Sequence, residues 1–134
     1  MSQTTPAARR IAAPRTTMVL TEVLALGVLV QAAFAGGFLG GHHVWKSWHG
    51  NLGDFLVFLP IASLVIGLAL RRRQPENFTM LASRVILLIV VLAVVATGHE
   101  AGGLLAVHIP AAVATVGILV RQAAMFTQTR EVQR

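Results

Sequence analysis

The sequence predicts an all-α membrane protein, a bundle of four transmembrane helices. Hydrophobic residues make up 55% of the 134-residue chain and charged residues only 12%, and the mean hydropathy is +0.72. A soluble domain of this size needs more polar surface to cover its core. Four runs contain no Lys, Arg, Asp or Glu: residues 23–41, 55–70, 85–98 and 101–120. With their flanking residues these runs reach the ~20 apolar residues that cross a bilayer.

The predicted spans are Met18–Leu39, Asn51–Leu70, Met80–Thr97 and Gly103–Met125. We expect residues 1–17 to form a flexible N-terminal tail, residues 18–125 the four-helix bundle, and residues 126–134 a C-terminal tail. Span 1 is interpreted as a retained helix, because its apolar run is long for the hydrophobic region of a cleaved signal peptide. Pro60 and Pro110 each remove a helical hydrogen bond and predict mild kinks.

Arginines flank the spans on one side of the predicted membrane. They precede span 1 (Arg9, Arg10, Arg15), separate spans 2 and 3 (Arg71, Arg72, Arg73), and follow or close span 4 (Arg121, Arg130, Arg134). Lys46 is the only cation in the other two loops. This pattern predicts a multi-pass protein of the cell (inner) membrane with both termini cytoplasmic. The net charge of +6 therefore indicates topology and contact with anionic lipid, and not nucleic-acid binding.

The five histidines all fall at the opposite, outer side. His42, His43 and His49 lie in the predicted loop 40–50 or at the top of span 2, and His99 ends span 3. His108 lies about 8 Å inside span 4 at 1.5 Å per residue. An ionisable side chain within a span usually faces a partner or a cavity, so His108 is the strongest candidate for a functional residue.

The two halves of the chain resemble each other. "GGFLGGHH" followed by "HGNLGDFLVF" corresponds to "VVATGHE" followed by "VHIPAAVATV". Two helical hairpins related by a pseudo-two-fold axis along the membrane normal would close the bundle. His49 and His108 would then occupy equivalent positions on spans 2 and 4 and face each other.

Two facing imidazoles in an apolar bundle are the ligands that a six-coordinate haem b requires. The sequence therefore predicts His49 and His108 as axial ligands of haem iron, with His42, His43 and His99 in reserve. Lys46, Trp45 and Trp48 are candidates for a rim around the propionates, although tryptophans here are also ordinary interfacial anchors. Because there is no cysteine, thiolate metal sites and covalent c-type haem attachment are excluded.

The segments "HGNLGDFLVFLPIASLVIGL" and "VHIPAAVATVGILV" give residues 18–125 a resemblance to one four-helix half of haem A synthase. They are similar, more loosely, to small bacterial b-type membrane cytochromes. This resemblance implies that His49 and His108 bind haem b. The chain departs from the synthases in having one bundle, no cysteine and no acidic residue between Leu39 and His49, so their oxidative chemistry is not expected, and no catalytic residue is predicted.

Several polar residues within the spans have more than one interpretation. Glu22 and Arg84 lie at matched depth and are predicted to form an ion pair across spans 1 and 3; alternatively, Arg84 extends to the headgroups and Glu22 stays protonated. Asp54 is expected either to accept a hydrogen bond from a ligand histidine or to cap span 2. Gln31 and Ser63 are candidates for hydrogen bonds between helices.

The leading functional hypothesis is a haem b protein for electron transfer or haem handling. The first alternative is a structural accessory subunit of a respiratory or other membrane complex, without a cofactor of its own. The second is a copper or zinc site at the outer face, built from His42, His43, His49 and His99. The expected partners are the lipid bilayer, subunits of such a complex, or further copies of the chain.

Overall fold

The computed structural model describes residues 15–71, 78–100 and 104–131. Within these ranges the chain is helical: α1 (Arg15–Leu39), α2 (His43–Leu56), α3 (Phe58–Leu70), α4 (Phe78–His99) and α5 (Leu105–Glu131). The predicted N-terminal tail lies almost entirely outside the described residues. At the other end, α5 continues past the predicted boundary at Met125.

Four helical segments are long and apolar enough to cross a membrane. Span 1 is Arg15–Leu39, span 2 is His43–Leu70, span 3 is Phe78–His99 and span 4 is Leu105–Thr127. Span 2 therefore combines α2 and α3. The predicted fold class, an all-α four-helix membrane bundle, is confirmed.

The junction between α2 and α3 lies at Val57, whose backbone stays in the right-handed helical region (φ −59°, ψ −32°). Pro60 in the first turn of α3 has no N–H to donate to the carbonyl of Leu56, and its ring crowds that carbonyl. The helical hydrogen bonding is thus interrupted one turn before the proline, while the chain keeps its direction. Pro110 lies inside α5 without ending it.

The connection between spans 1 and 2 is shorter than predicted. Gly41 adopts a φ of +98°, which an L side chain rarely tolerates. The main-chain nitrogens of Gly41 and His42 donate to the carbonyls of Phe38 and Gly37 at 3.0 and 3.2 Å. Because this turn reverses the chain at once, α2 begins at His43. The prediction that residues 40–50 form a loop was therefore wrong for residues 43–50, which are the first turns of α2.

The spans are arranged in a ring in chain order. Span 1 contacts spans 2 and 4, and span 3 also contacts spans 2 and 4. In the described part of the chain, no Cα atom of span 1 lies within 8 Å of one in span 3, and none of span 2 lies within 8 Å of one in span 4. Each of these two pairs therefore lies across the bundle axis. His49 and His108 belong to one such diagonal pair.

An apolar layer lies in the middle of the bundle, with a polar layer on each side of it along the bundle axis. The apolar layer contains Leu24, Leu56, Leu87, Val91 and Leu119. We call the end with the 40–42 turn the histidine end, and the end where α3 reaches Arg71 the arginine end.

A buried hydrogen-bond chain crosses the bundle on the side of the arginine end. Thr21 of span 1 donates to the Gln122 side-chain oxygen of span 4 at 3.4 Å, and the Gln122 amide nitrogen donates to the Ser83 hydroxyl of span 3 at 3.1 Å. Three spans are therefore joined by side-chain hydrogen bonds at this level.

Candidate functional site

His49 and His108 meet inside the histidine end. α2 carries His49 two turns after the 40–42 turn, and α5 carries His108 in its first turn. Both side chains are half-buried. Their ring centres lie 6.3 Å apart, with the ring planes at 64°. The two residues selected as facing ligands are thus brought together across the diagonal of the bundle.

Each imidazole is anchored through Nδ1 by a neighbouring helix. The Nδ1 of His49 lies 3.0 Å from the carbonyl oxygen of Gln31 in span 1, and the Nδ1 of His108 lies 2.9 Å from that of Val94 in span 3. A carbonyl oxygen can only accept, so Nδ1 carries the hydrogen in both neutral rings. Nε2 therefore keeps its lone pair, and within residues 15–71, 78–100 and 104–131 it has no hydrogen-bond partner. Metal-binding histidines in proteins are commonly oriented by a hydrogen bond of this kind, from one ring nitrogen to a carbonyl.

A second group supports His108. The Thr97 hydroxyl donates to the carbonyl of Ala93 at 2.7 Å and lies 3.5 Å from the Nδ1 of His108. On the other side, a Cβ added to Gly98 would lie 3.0 Å from the Cε1 of His108. The ring is therefore held between the end of α4 and its own helix, and glycine at position 98 makes this close approach possible.

A cavity of about 60 Å³ lies beside the two rings. The polar groups around it come from Gln31, Asp54 and His99 in addition to the two facing histidines. Gly50, Gly53, Gly98, Val94 and Val95 complete its wall. The wall therefore combines nitrogen and oxygen groups with residues that have little or no side-chain bulk.

His99 and Asp54 join spans 3 and 2 at the histidine end. The Nε2 of His99 lies 2.9 Å from Oδ1 of Asp54, and their side chains are 62% and 53% exposed. An exposed pair of this kind contributes little to stability. The partner of Asp54 is therefore His99, one of the reserve candidates, and not His49 or His108. Asp54 contacts span 3 through this pair.

Gln31 is a residue of this site that the sequence analysis named only as a candidate for a hydrogen bond between helices. Its main-chain oxygen holds His49, and its side-chain Oε1 is buried and has no hydrogen-bond partner in the described part of the chain. Its amide nitrogen packs over Gly53, where an added Cβ would lie 2.8 Å away. The sequence did show a polar glutamine inside an apolar span, which could have indicated a site residue. Its closeness to His49 could not be predicted, because it depends on the relative positions of spans 1 and 2.

The remaining candidates lie outside this cavity. His42, His43 and Lys46 are exposed. Trp45 and Trp48 pack edge-on against Phe34 of span 1, with ring centres 5.9 and 5.7 Å away. The roles of His42 and His43 as reserve ligands, and of the other three residues as a propionate rim, stay predictions.

The outer-face metal site is not formed. The described residues contain no group of three or more His, Cys, Asp or Glu side chains placed to hold a metal ion. Exposed His42 and His43 do not converge with His49 and His99, since the first two sit at the start of α2 and the others line the cavity. The described residues therefore give no support to the hypothesis of a site built from these four histidines.

Arg84 and Glu22 occupy different environments. Arg84 is 2% exposed and donates Nη1 to the Ser63 main-chain oxygen at 2.6 Å and to the Ser63 hydroxyl at 3.3 Å. Glu22 is exposed on span 1, which does not adjoin span 3. The ion pair between Glu22 and Arg84 stays a prediction, whereas the hydrogen bond expected of Ser63 is confirmed.

The fold and this site define a class: a multi-pass, four-helix membrane protein with a histidine pair inside one end of the bundle. No protein-family model, curated protein or solved structure matches the chain. Its function must therefore be inferred from the chemistry of the site.

Proposed function

We propose that this protein is an integral membrane haem b protein in which His49 and His108 would hold the haem iron, serving electron transfer or haem handling. The observation that carries the proposal is the spacing of the two rings, 6.3 Å between centres, with both Nδ1 atoms bonded to carbonyls. This arrangement leaves one basic nitrogen on each ring.

The ring spacing is compatible with one metal shared by the two histidines. A histidine nitrogen binds a metal at about 2.0–2.1 Å, so rings whose centres lie 6.3 Å apart are close enough to hold the same metal. His49 and His108 would therefore be able to hold the haem iron together.

The surroundings of the histidine pair also suit a flat macrocycle. Cofactors in helix bundles are held by side chains on facing helices, and spans 2 and 4 face each other across the axis. A Cβ at Gly50 would meet nothing within 4 Å, so the wall beside His49 has open space. Gln31 adds an amide to a wall that also contains Asp54 and His99. A macrocycle needs more room than the cavity of about 60 Å³, so haem binding would require spans 2 and 4 to separate beside the glycines of this wall.

The roles of the residues follow from these contacts. The Gln31 and Val94 carbonyls fix the tautomer and the orientation of the two imidazoles. Bound haem b supplies one-electron redox chemistry at its iron. The chain itself binds and orients that group, and the surrounding helices limit the access of water to it.

The location of the site is part of the same proposal. In the sequence, arginines flank the spans on the side of Arg71, and the positive-inside pattern would assign the arginine end to the cytoplasm. The histidine pair then lies near the outer face of the cell membrane. Lys46 and the two tryptophans of α2 would surround the same end, where they remain candidates for the propionate rim.

An optical spectrum of the detergent-purified protein tests the proposal. We expect a reducible Soret band with sharp α and β bands, the signature of low-spin haem b. His49→Ala and His108→Ala should each abolish haem binding or give a high-spin spectrum. His43→Ala, which changes an exposed histidine outside the cavity, is the matched control and should leave the spectrum unchanged.

Two outcomes would contradict the proposal. An unchanged low-spin spectrum in His108→Ala would exclude His108 as a ligand and would shift attention to the reserve histidines. Absence of haem from the protein purified from haem-replete membranes would favour the alternative, a structural accessory subunit without its own cofactor. Copurification of partner subunits would then be the next observation to seek.

A further inference from the structure

Span 2 is interrupted halfway along its length, between α2 and α3. The main-chain N–H of Val57 is directed to the carbonyl of Phe55, two residues back, whereas an α-helix joins residues four apart. Pro60 has no N–H to donate to the carbonyl of Leu56. Long helices bend at such interruptions, so this is the place where span 2 bends most easily.

The two halves of span 2 are held differently. α3 is joined to span 3 by the buried hydrogen bonds from Arg84 to Ser63, at 2.6 and 3.3 Å. Within the described ranges, the one side-chain hydrogen bond from α2 to span 3 or span 4 is the exposed pair of Asp54 and His99. Because an exposed pair contributes little, α2 is held to these spans less firmly than α3.

Span 1 can follow a movement of α2. The carbonyl of Gln31 lies 3.0 Å from Nδ1 of His49, and Phe34 packs against both tryptophans of α2. Nearer the arginine end, a Cβ at Gly27 would overlap the side chain of Leu56, which places this glycine at the level of the interruption. Glycine restricts the main chain least of all residues. Both helices of this hairpin therefore have a weak point at the same depth.

We propose that residues 56–60 are a hinge on which α2 swings away from α5 and widens the cavity between His49 and His108. In this structure the hinge is closed: the cavity measures about 60 Å³, and Asp54 is bonded to His99. Opening separates Asp54 from His99 and makes room beside the histidine pair for a flat group. The hinge controls the entry of the bound group, and this use of it rests on the proposed haem binding.

Distances between two spin labels measure this movement, because the natural chain contains no cysteine that would also be labelled. Lys46→Cys on α2 and Val107→Cys on α5 carry the first pair, at exposed positions of the histidine end. Leu68→Cys on α3 and Val120→Cys on α5 carry a second pair, also at exposed positions. Loading with reduced haem b should lengthen the mean distance of the first pair by several ångströms and leave that of the second pair unchanged.

Two proline substitutions separate the hinge from other effects of proline. Pro60→Ala adds the N–H that the carbonyl of Leu56 lacks, so α2 and α3 should form one stiffer helix and the lengthening should be lost. Pro110→Ala is the matched control, because α5 already continues through Pro110, and the lengthening should persist. An equal lengthening in Pro60→Ala and in the natural chain would overturn the proposal.

Haem-free protein tests the hinge without the proposed ligand. His99→Ala removes the partner of Asp54 and should raise the population at the longer distance up to about fivefold, the effect expected for an exposed pair. Unchanged distances both in haem-free His99→Ala and on haem loading would overturn the hinge and leave the proposed function intact. If the purified protein binds no haem, the proposed function fails, and the distances in His99→Ala alone decide the hinge.

Discussion

Arg84 of span 3 is held by Ser63 of span 2 through hydrogen bonds of 2.6 Å to the main-chain oxygen and 3.3 Å to the hydroxyl. Both residues are buried, on the arginine side of the apolar layer. A hydrogen bond from a charged group to a carbonyl typically contributes about 1.5–3 kcal/mol. The shorter bond goes to the main chain, which no substitution of Ser63 removes. The two residues should therefore differ in their effect on stability.

Arg84→Ala should lower the thermal unfolding midpoint in detergent clearly, because it removes the charged donor and the buried packing of a long side chain. Ser63→Ala should cost only about 0.6 kcal/mol, the average for side-chain hydrogen bonds between membrane helices. Val85→Ala, at an exposed neighbour of Arg84, is the control for helix insertion. If Ser63→Ala and Arg84→Ala lowered the unfolding midpoint equally, the bond to the Ser63 main-chain oxygen would not be the stronger of the two.

Gly37 and Gly36 should respond differently to the same substitution. A Cβ at Gly37 would overlap the indole of Trp45, whereas a Cβ at Gly36 would meet nothing within 4 Å. Gly37→Ala should displace Trp45 from its packing beside Phe34 and shift its fluorescence, with a loss of stability of about 1–3 kcal/mol, as is typical of overpacking. Gly36→Ala should leave both properties unchanged. The same fluorescence shift in both variants would exclude a specific contact between Gly37 and Trp45.

The fold could be predicted because lipid imposes a simple rule. A chain that crosses a bilayer must satisfy its backbone hydrogen bonds within helices, so uncharged runs of sufficient length become spans. This rule did not predict where α2 begins. Residues 43–50 contain polar side chains that indicate a loop, yet the tight turn at Gly41 leaves the chain free to become helical at once.

The site was predictable only where symmetry between the two hairpins could be seen in the sequence. That symmetry selected His49 and His108, whose rings do meet. It gave no information on Gln31 or Val94, which act through main-chain oxygens that any residue possesses. The pairing of His99 with Asp54 likewise depended on the rotation of spans 2 and 3 about their axes, which hydropathy does not determine.

The predicted orientation can be tested with single cysteines, since the natural chain contains none. Lys46→Cys and Arg71→Cys place exposed thiols at the histidine end and the arginine end respectively. In intact cells a membrane-impermeant maleimide should label Lys46→Cys, and it should label Arg71→Cys only after the membrane is opened. Labelling of Arg71→Cys from outside would reverse the topology and would place the histidine pair near the cytoplasm.

Gly98 offers a way to move one proposed ligand without deleting it. An added Cβ would lie 3.0 Å from Cε1 and 3.3 Å from Nδ1 of His108, so the ring must shift by a few tenths of an ångström. The shift would also strain the 2.9 Å hydrogen bond from Nδ1 to the Val94 carbonyl. Loss of a hydrogen bond that orients a metal-binding histidine typically reduces metal affinity or activity about 10–100-fold.

Gly98→Ala should therefore weaken haem retention by about 10–100-fold and alter the electron paramagnetic resonance spectrum of the oxidised protein, while His49 remains in place. Gly117→Ala is the matched control, because it adds a methyl group to the helix that carries His108 at a position with nothing within 4 Å. If Gly98→Ala retains haem with an unaltered resonance spectrum, His108 does not bind the iron in the orientation found here. If Gly117→Ala has the same effect as Gly98→Ala, general loosening of span 4 would explain the change, and the specific contact between Gly98 and His108 would not.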